Sequence, residues 1–128
     1  MVDLPKIHAP YQSDLDKAVL SVVHSGGYIG GTVVKDFEAR AASYLGAPTV
    51  GVGNGTDALL IALMALDVQS GDEVIVPAFT YAASAEVIGL LGAVAVWCDV
   101  NESTFTIDPD SVKSVLSDKT AAIIAVHL

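Results

Sequence analysis

The sequence predicts an α/β protein, a three-layer sandwich in which helices cover a mainly parallel sheet. Two observations carry this expectation. From Pro48 onward, short apolar runs that read as strands alternate with segments of helical spacing, the order of strand–helix–strand units rather than of hairpins. Each change of element also carries its expected punctuation: glycine after a helix, proline after a strand, and a carboxylate or amide ahead of the next helix.

Residues 1–47 read as N-terminal helices and a glycine-rich loop, and residues 48–128 as the start of the sheet. Asp14–His24 places Leu15, Val19, Val22 and Val23 on one helical stripe, with Ser13 as its expected cap. Ser25–Thr32 holds four glycines around Tyr28 and Ile29, either a flexible connector or a loop pressed against something. Val34, Phe37, Ala41, Tyr44 and Leu45 mark a second helix, closed by Gly46. Pro48–Gly53 reads as a short strand, and Thr56–Leu66 as a helix apolar nearly all round, hence buried on most sides. Then come strand Glu73–Pro77, helix Ala82–Leu91 ended by Gly92, and strand Ala93–Asp99. A loop with a short extended piece spans 101–107. Asp108 caps a helix opening at Pro109, and strand Ala121–Val126 follows.

Composition narrows the function. With 52% hydrophobic and 16% charged residues the chain is built to fold. A net charge of −9 argues against nucleic acid or an anionic membrane as partner. The longest uninterrupted apolar run, Ala58–Leu66, falls well short of the roughly 20 residues of a membrane span. The first residues lack the basic and apolar regions of a secretory signal, and the lone Cys98 suits a reducing cytoplasm; its apolar neighbours mark it as core.

The chemistry gathers at Gly51-Val-Gly-Asn-Gly-Thr-Asp57. Asn54 is a natural N-cap and Asp57 stands three residues on. A helix starting there aims unpaired N–H groups and the positive end of its dipole at the space above the turn. Gly51, Gly53 and Gly55 are expected to leave that space open, which describes an anion cup of the kind used for phosphate. A plain strand-to-helix turn satisfies the same residues. A dinucleotide fingerprint does not, because Thr56 stands where its third glycine belongs. Tyr81, after a strand and before a helix, can stand at the same sheet edge, where its ring suits a flat heteroaromatic ligand. His127 reaches that edge too, where a hydrogen-bonded strand end explains it equally well. No lysine or arginine lies between Ala41 and Val112, so a bound anion would draw on amides, hydroxyls and the dipole alone.

Four stretches, in order, resemble a known family: Gly-Gly-Tyr-Ile-Gly-Gly with Phe-Glu (26–38), Asn-Gly-Thr-Asp-Ala-Leu (54–59), Gly-Asp-Glu-Val-Ile-Val-Pro-Ala-Phe-Thr-Tyr-Ala-Ala-Ser-Ala-Glu (71–86) and Asp-Val-Asn-Glu-Ser-Thr-Phe-Thr-Ile-Asp-Pro (99–109). Together they are similar to the N-terminal part of the DegT/StrS sugar aminotransferases, pyridoxal-phosphate enzymes of the aspartate-aminotransferase fold (fold type I). The resemblance implies a truncated large domain. It implies that Gly55, Thr56 and Asp57 grip the cofactor phosphate, that Tyr81 stacks on its pyridine ring, and that Tyr28, Ile29 and Gly30 lie near substrate and dimer interface.

It further implies a cytoplasmic homodimer with a shared active site. That enzyme would pass an amino group, from glutamate, to a nucleotide-linked keto-sugar for polysaccharide or sugar-metabolite synthesis. The family's Schiff-base lysine and the aspartate that pairs with the pyridine nitrogen are expected beyond residue 128, since Lys113 and Lys119 do not match the lysine motif. These residues alone are then expected to be inactive. A sugar dehydratase of the same family, or a non-catalytic remnant with an open apolar sheet edge, accommodates the same sequence.

Overall fold

The structure, a computed structural model, describes residues 3–127. The chain divides into two compact units, with the boundary between Gly51 and Val52.

The first unit is helical. Helix α1 (Leu4–His8) starts where the Asp3 carboxylate accepts the Lys6 N–H at 3.2 Å. A 3₁₀ turn, Ala9–Tyr11, leads directly into α2 (Gln12–Ser25). The cap expected from Ser13 is therefore not used. The Gln12 N–H is already bonded to the Ala9 carbonyl, and Ser13 sits inside the first turn. Helix α3 spans Thr32–Leu45, and both α2 and α3 end on left-handed glycines, Gly26 and Gly46, as their αL caps require. No described residue of this unit is buried. The apolar stripes of α2 and α3 exist as the sequence predicts, yet lie uncovered, with Val19 and Phe37 exposed.

Pro48–Gly53, expected as a strand, forms no ladder. Strand pairing needs a neighbour. Among the described residues no strand pairs with this segment, and the Gly51 N–H is taken by the Glu38 carboxylate at 2.8 Å.

The second unit holds the sheet. Helix α4 (Gly55–Ala65) precedes β1 (Glu73–Pro77), α5 (Ala83–Leu90), β2 (Val94–Cys98), α6 (Pro109–Val115) and β3 (Thr120–Ile123). The three strands are parallel in the order β2-β1-β3. Register runs from Glu73 opposite Val94 to Pro77 opposite Cys98. Against β3 an irregularity between Glu73 and Val74 pairs them with Thr120 and Ala122. The last bond of that ladder is Ile124 N–H to the Ile75 carbonyl at 2.8 Å. Strand β3 thus stops short of the expected Val126, because Pro77 of β1 has no N–H with which to continue.

Strand β1 is the centre of the core. Val74 and Val76 point to one face and meet Val87 and Ile88 of α5 and Leu63 of α4, while Ile75, facing the other way, is also fully buried. Helix α4 departs from expectation here. Only Leu63 is buried, and Ile61, Met64 and Leu66 remain exposed. Its uniform apolarity fits burial on several sides, but the described residues cover one. The outer edge strand β2 likewise exposes Val94 and Trp97 and carries no charge or proline to blunt its free edge. The isolated chain is accordingly expected to associate. Sedimentation velocity should show oligomers, and a monodisperse monomer that also unfolds cooperatively by calorimetry would contradict this.

Candidate functional site

The parallel sheet gives the second unit a polarity, and of the predicted site residues Gly55, Thr56, Asp57 and Tyr81 lie toward one end of it. Helix α4 hands over through the turn at 67–72 to the amino end of β1, so it runs antiparallel to β1. Its own N-terminus, Gly55, therefore stands at the carboxyl end of the sheet, where ligands gather in such folds. Tyr81 follows β1 at that same end, ahead of α5. Helices α4 and α5 share the core cluster through Leu63, Val87 and Ile88. Packing thus holds Thr56 and Tyr81 to one edge of one unit.

At the head of α4, Asn54 acts as the N-cap the sequence predicts. Its Oδ1 accepts the Asp57 N–H at 2.9 Å, and its carbonyl accepts the Ala58 N–H at 3.0 Å. Its side-chain amide also donates to the Asp57 carboxylate at 3.1 Å. These bonds divide the donors. The Asp57 N–H is spent on Asn54, whereas the N–H groups of Gly55 and Thr56, first in the helix, have no acceptor among the described residues. The half-buried Thr56 hydroxyl makes no hydrogen bond there either. Within the helix proper the free donors are thus two amides and one hydroxyl, on two adjacent residues.

The three glycines differ in what they accommodate. A Cβ on Gly55 would meet nothing within 4 Å, so this position is open as expected. A Cβ on Gly53 would lie 2.5 Å from the Asp57 carboxylate, and one on Gly51 would lie 3.4 Å from Glu38 and Val34. The space beside Gly53 is filled by the Asp57 carboxylate, whereas a Cβ at Gly51 would make ordinary contact with Glu38 and Val34, which corrects the expectation of an open cradle at all three.

Tyr81 presents its ring to solvent, 81% exposed, in a shallow hollow of about 330 Å³ formed with Ala78, Phe79 and Thr80. The backbone beneath it is fixed. The Ala78 N–H donates to the Cys98 carbonyl at 2.9 Å, the Ser84 N–H to the Tyr81 carbonyl at 3.0 Å, and the Thr80 and Ser84 hydroxyls are 2.9 Å apart. His127 lies past β3 at the same end and is exposed. Tyr28, Ile29 and Gly30 belong to the first unit. There the Tyr28 hydroxyl donates to the Val23 carbonyl at 3.1 Å, Ile29 is 96% exposed, and Gly30 adopts φ +58°. Sequence reasoning missed one pair. Phe79 and Phe105 stand with ring centroids 5.4 Å apart and planes tilted by 39°. The 25 residues between them carry no pattern that announces the contact.

Cys98 is core, as its neighbours in sequence imply. Burial pushes its thiol above the ordinary range; a backbone hydrogen bond draws it partly back, and Asp99 and Asp108 add to the rise. Among the described residues no group of three or more acidic, His or Cys side chains is placed to hold a metal.

The chain belongs to the DegT/DnrJ/EryC1/StrS aminotransferase family, whose model matches residues 11–128. Aminotransferases of this family are pyridoxal-phosphate enzymes. Among individual proteins, the chain is similar to the dTDP-3-amino-3,6-dideoxy-alpha-D-galactopyranose transaminase of Aneurinibacillus thermoaerophilus, at 43% identity over 99% of this chain and 35% of that one. It is similar to the UDP-2-acetamido-2-deoxy-3-oxo-D-glucuronate aminotransferase of Pseudomonas aeruginosa, at 41% identity over 99% of this chain and 36% of that one. Its fold matches the crystal structure of NtdA from Bacillus subtilis with bound cofactor PMP, at a TM-score of 0.84 and 33% identity, over 91% of this chain and 27% of that one. The chain spans about a third of the length of the curated relatives it matches.

Two substitutions test the local chemistry. Asn54→Ala should lower protection of the Asp57 amide from hydrogen exchange by about 1 kcal/mol, with Asn54→Ser largely retaining it. Cys98 should react with an aromatic disulfide reagent at least about tenfold more slowly in the folded chain than in urea. Because its folded pKa is raised, the thiol contributes no loss of stability below its unfolded value. It weakens the fold as pH climbs from about 8.5 through the raised value. Cys98→Ala should remove that alkaline increment in denaturant titrations.

Proposed function

We propose that these residues are the N-terminal part of a pyridoxal-phosphate-dependent aminotransferase acting on a nucleotide-linked keto-sugar, with glutamate as amino donor. The observation that carries the reading is the match of essentially the whole chain, at 41–43% identity, to two enzymes named for amino transfer on nucleotide-linked sugars. In this reading the enzyme serves polysaccharide or sugar-metabolite synthesis in the cytoplasm and works as a homodimer with a shared active site.

The residues present fit the cofactor at the carboxyl edge of the sheet. The Gly55 and Thr56 N–H groups, free of protein acceptors, and the Thr56 hydroxyl would hold its phosphate at the positive end of α4. Asp57 would take part through the cap it makes with Asn54, since its N–H is spent and its carboxylate repels an anion. The exposed Tyr81 ring would lie over the heterocycle and exclude water from one face. Tyr28, Ile29 and Gly30 would contribute to the substrate side and the dimer contact. Once bound, pyridoxal phosphate supplies the electron sink that amino transfer requires. The catalytic lysine and the aspartate that pairs with the pyridine nitrogen would come from outside these 128 residues. Lys119 immediately precedes β3, and its carbonyl accepts the Glu73 N–H at the amino end of the sheet. Lys113 is in the last turn of α6 and bonds Asp110 at 2.9 Å.

Titration of the isotope-labelled chain with pyridoxal phosphate is expected to shift the Gly55 and Thr56 amides and the Tyr81 ring together. Inorganic phosphate should move the amides and leave the ring. Borohydride reduction followed by peptide mapping should leave neither Lys113 nor Lys119 selectively labelled. Shifts confined to other surfaces, or a single labelled lysine, would sink the assignment.

A further inference from the structure

Phe105 has a backbone conformation that its side chain does not favour. Its φ is +56°, in the left-handed region, where a bulky residue is an outlier and glycine, asparagine or aspartate are the usual occupants. Asp67, the other described non-glycine residue with positive φ, is of the tolerant kind. The conformation of Phe105 is imposed by a closely bonded loop. Val100 and Ile107 form an antiparallel bridge at its base. The Asn101 N–H donates to the Thr106 carbonyl at 2.9 Å, and the Phe105 N–H to the Asn101 carbonyl at 2.8 Å. The Asn101 Oδ1 accepts from Ser103 N–H at 2.9 Å and Thr104 N–H at 3.3 Å.

Such over-determined strain is characteristic of positions that must aim a side chain. What the loop aims is an aromatic ring, and its target is Phe79, at a separation and tilt typical of a favourable aromatic pair. Phe79 lies two residues before Tyr81, on the five-residue connector between β1 and α5. The loop leaves the carboxyl end of β2, next to β1 in the sheet. Both rings are half exposed, with Phe79 at 54% and Phe105 at 50%. The pair therefore adds little to the core and instead braces one connector against the neighbouring loop.

We infer that Phe105 is a positioning residue for Tyr81: its ring, held against Phe79 by a strained loop, fixes the segment that presents Tyr81 at the carboxyl edge of the sheet. The consequence for cofactor binding rests on the reading of Tyr81 given above; the bracing of the segment does not. It assigns to the loop at 101–106 a part in orienting a ring that it does not itself carry.

The test uses the whole chain and two readouts. In the absence of cofactor, NMR relaxation on Phe105→Ala and Phe105→Gly should show increased fast motion for Ala78–Tyr81, with amides of β1 and the α5 core unchanged. Phe105→Gly is informative because it relieves the left-handed strain while removing the ring; a role confined to closing the loop would leave that variant as ordered as the parent. Phe105→Tyr should restore the order, and Phe105→Leu, which keeps bulk without a ring, provides a second variant should the small ones fail to fold. In the second readout, pyridoxal phosphate should bind the Ala and Gly variants about three- to tenfold more weakly, the fold-change equivalent of one aromatic pair. The Tyr81 ring shift should shrink while the Gly55 and Thr56 amides still respond. Unchanged order at Ala78–Tyr81 in the ringless variants overturns the inference. Loosening of that segment, in a chain whose Tyr81 never responds to pyridoxal phosphate, supports the bracing and overturns the cofactor reading instead.

Discussion

The sheet unit depends on the burial of β1 between two parallel neighbours. Val74, Ile75 and Val76 are completely removed from solvent, each contributing about 1.5–3 kcal/mol by transfer. Parallel pairing on both sides commits every connection of the sheet to a crossover that returns to the amino edge. With the strands aligned, the carboxyl ends of β1 and β2 and the start of α4 have nowhere to go but one edge. Gly55, Thr56, Tyr81 and the Phe105 loop share that edge for this reason, although 50 residues separate the first from the last.

What was legible in the sequence follows from how local each signal is. The glycine ends at 46 and 92, the Asn54 cap and the Asp108 cap depend on interactions within a few residues, and strand Glu73–Pro77 is marked by an apolar run closed by proline; each is found where expected. The readings that changed all depended on a partner. Pro48–Gly53 has strand composition but no described strand to pair with. The uniform apolarity of α4 signals several covered sides, and one is covered here. Ser13 has the right chemistry for a cap but follows a turn that already feeds the helix. The end of β3 was set by Pro77, a residue of another strand. The Phe79–Phe105 contact had no local signature at all.

The glycine-rich turn shows how one composition serves two purposes. Three alternating glycines suggest a backbone stripped for a ligand, yet only Gly55 faces open space. Gly53 makes room for the Asp57 carboxylate, which Asn54 holds with its side-chain amide. The same asparagine therefore caps the helix and ties down the one negative group on its first turn. An anion at Gly55 and Thr56 meets unpaired N–H groups whose partial charge sums to about half a proton. That arrangement works only while the carboxylate stays on the Gly53 side.

Polarity also decides where a cation can come from. The segment from Ala41 to Val112 contains none, so the remaining choices in the sheet unit are Lys113 and Lys119. Strand β1 has five residues, and four steps at about 3.3 Å each place its two ends roughly 13 Å apart. Lys119 is tied to Glu73 at the amino end, so its four-carbon stem would have to cross that whole distance. Lys113 belongs to the last turn of α6, a helix that starts on the carboxyl side after β2 and is carried back toward the start of β3. Both lysines are thus led away from the edge where Thr56 and Tyr81 stand by the same parallel topology that brings those two together. Within the sheet unit, no lysine or arginine of the described residues stands at that edge, and the free donors of Gly55 and Thr56 are amides and a hydroxyl.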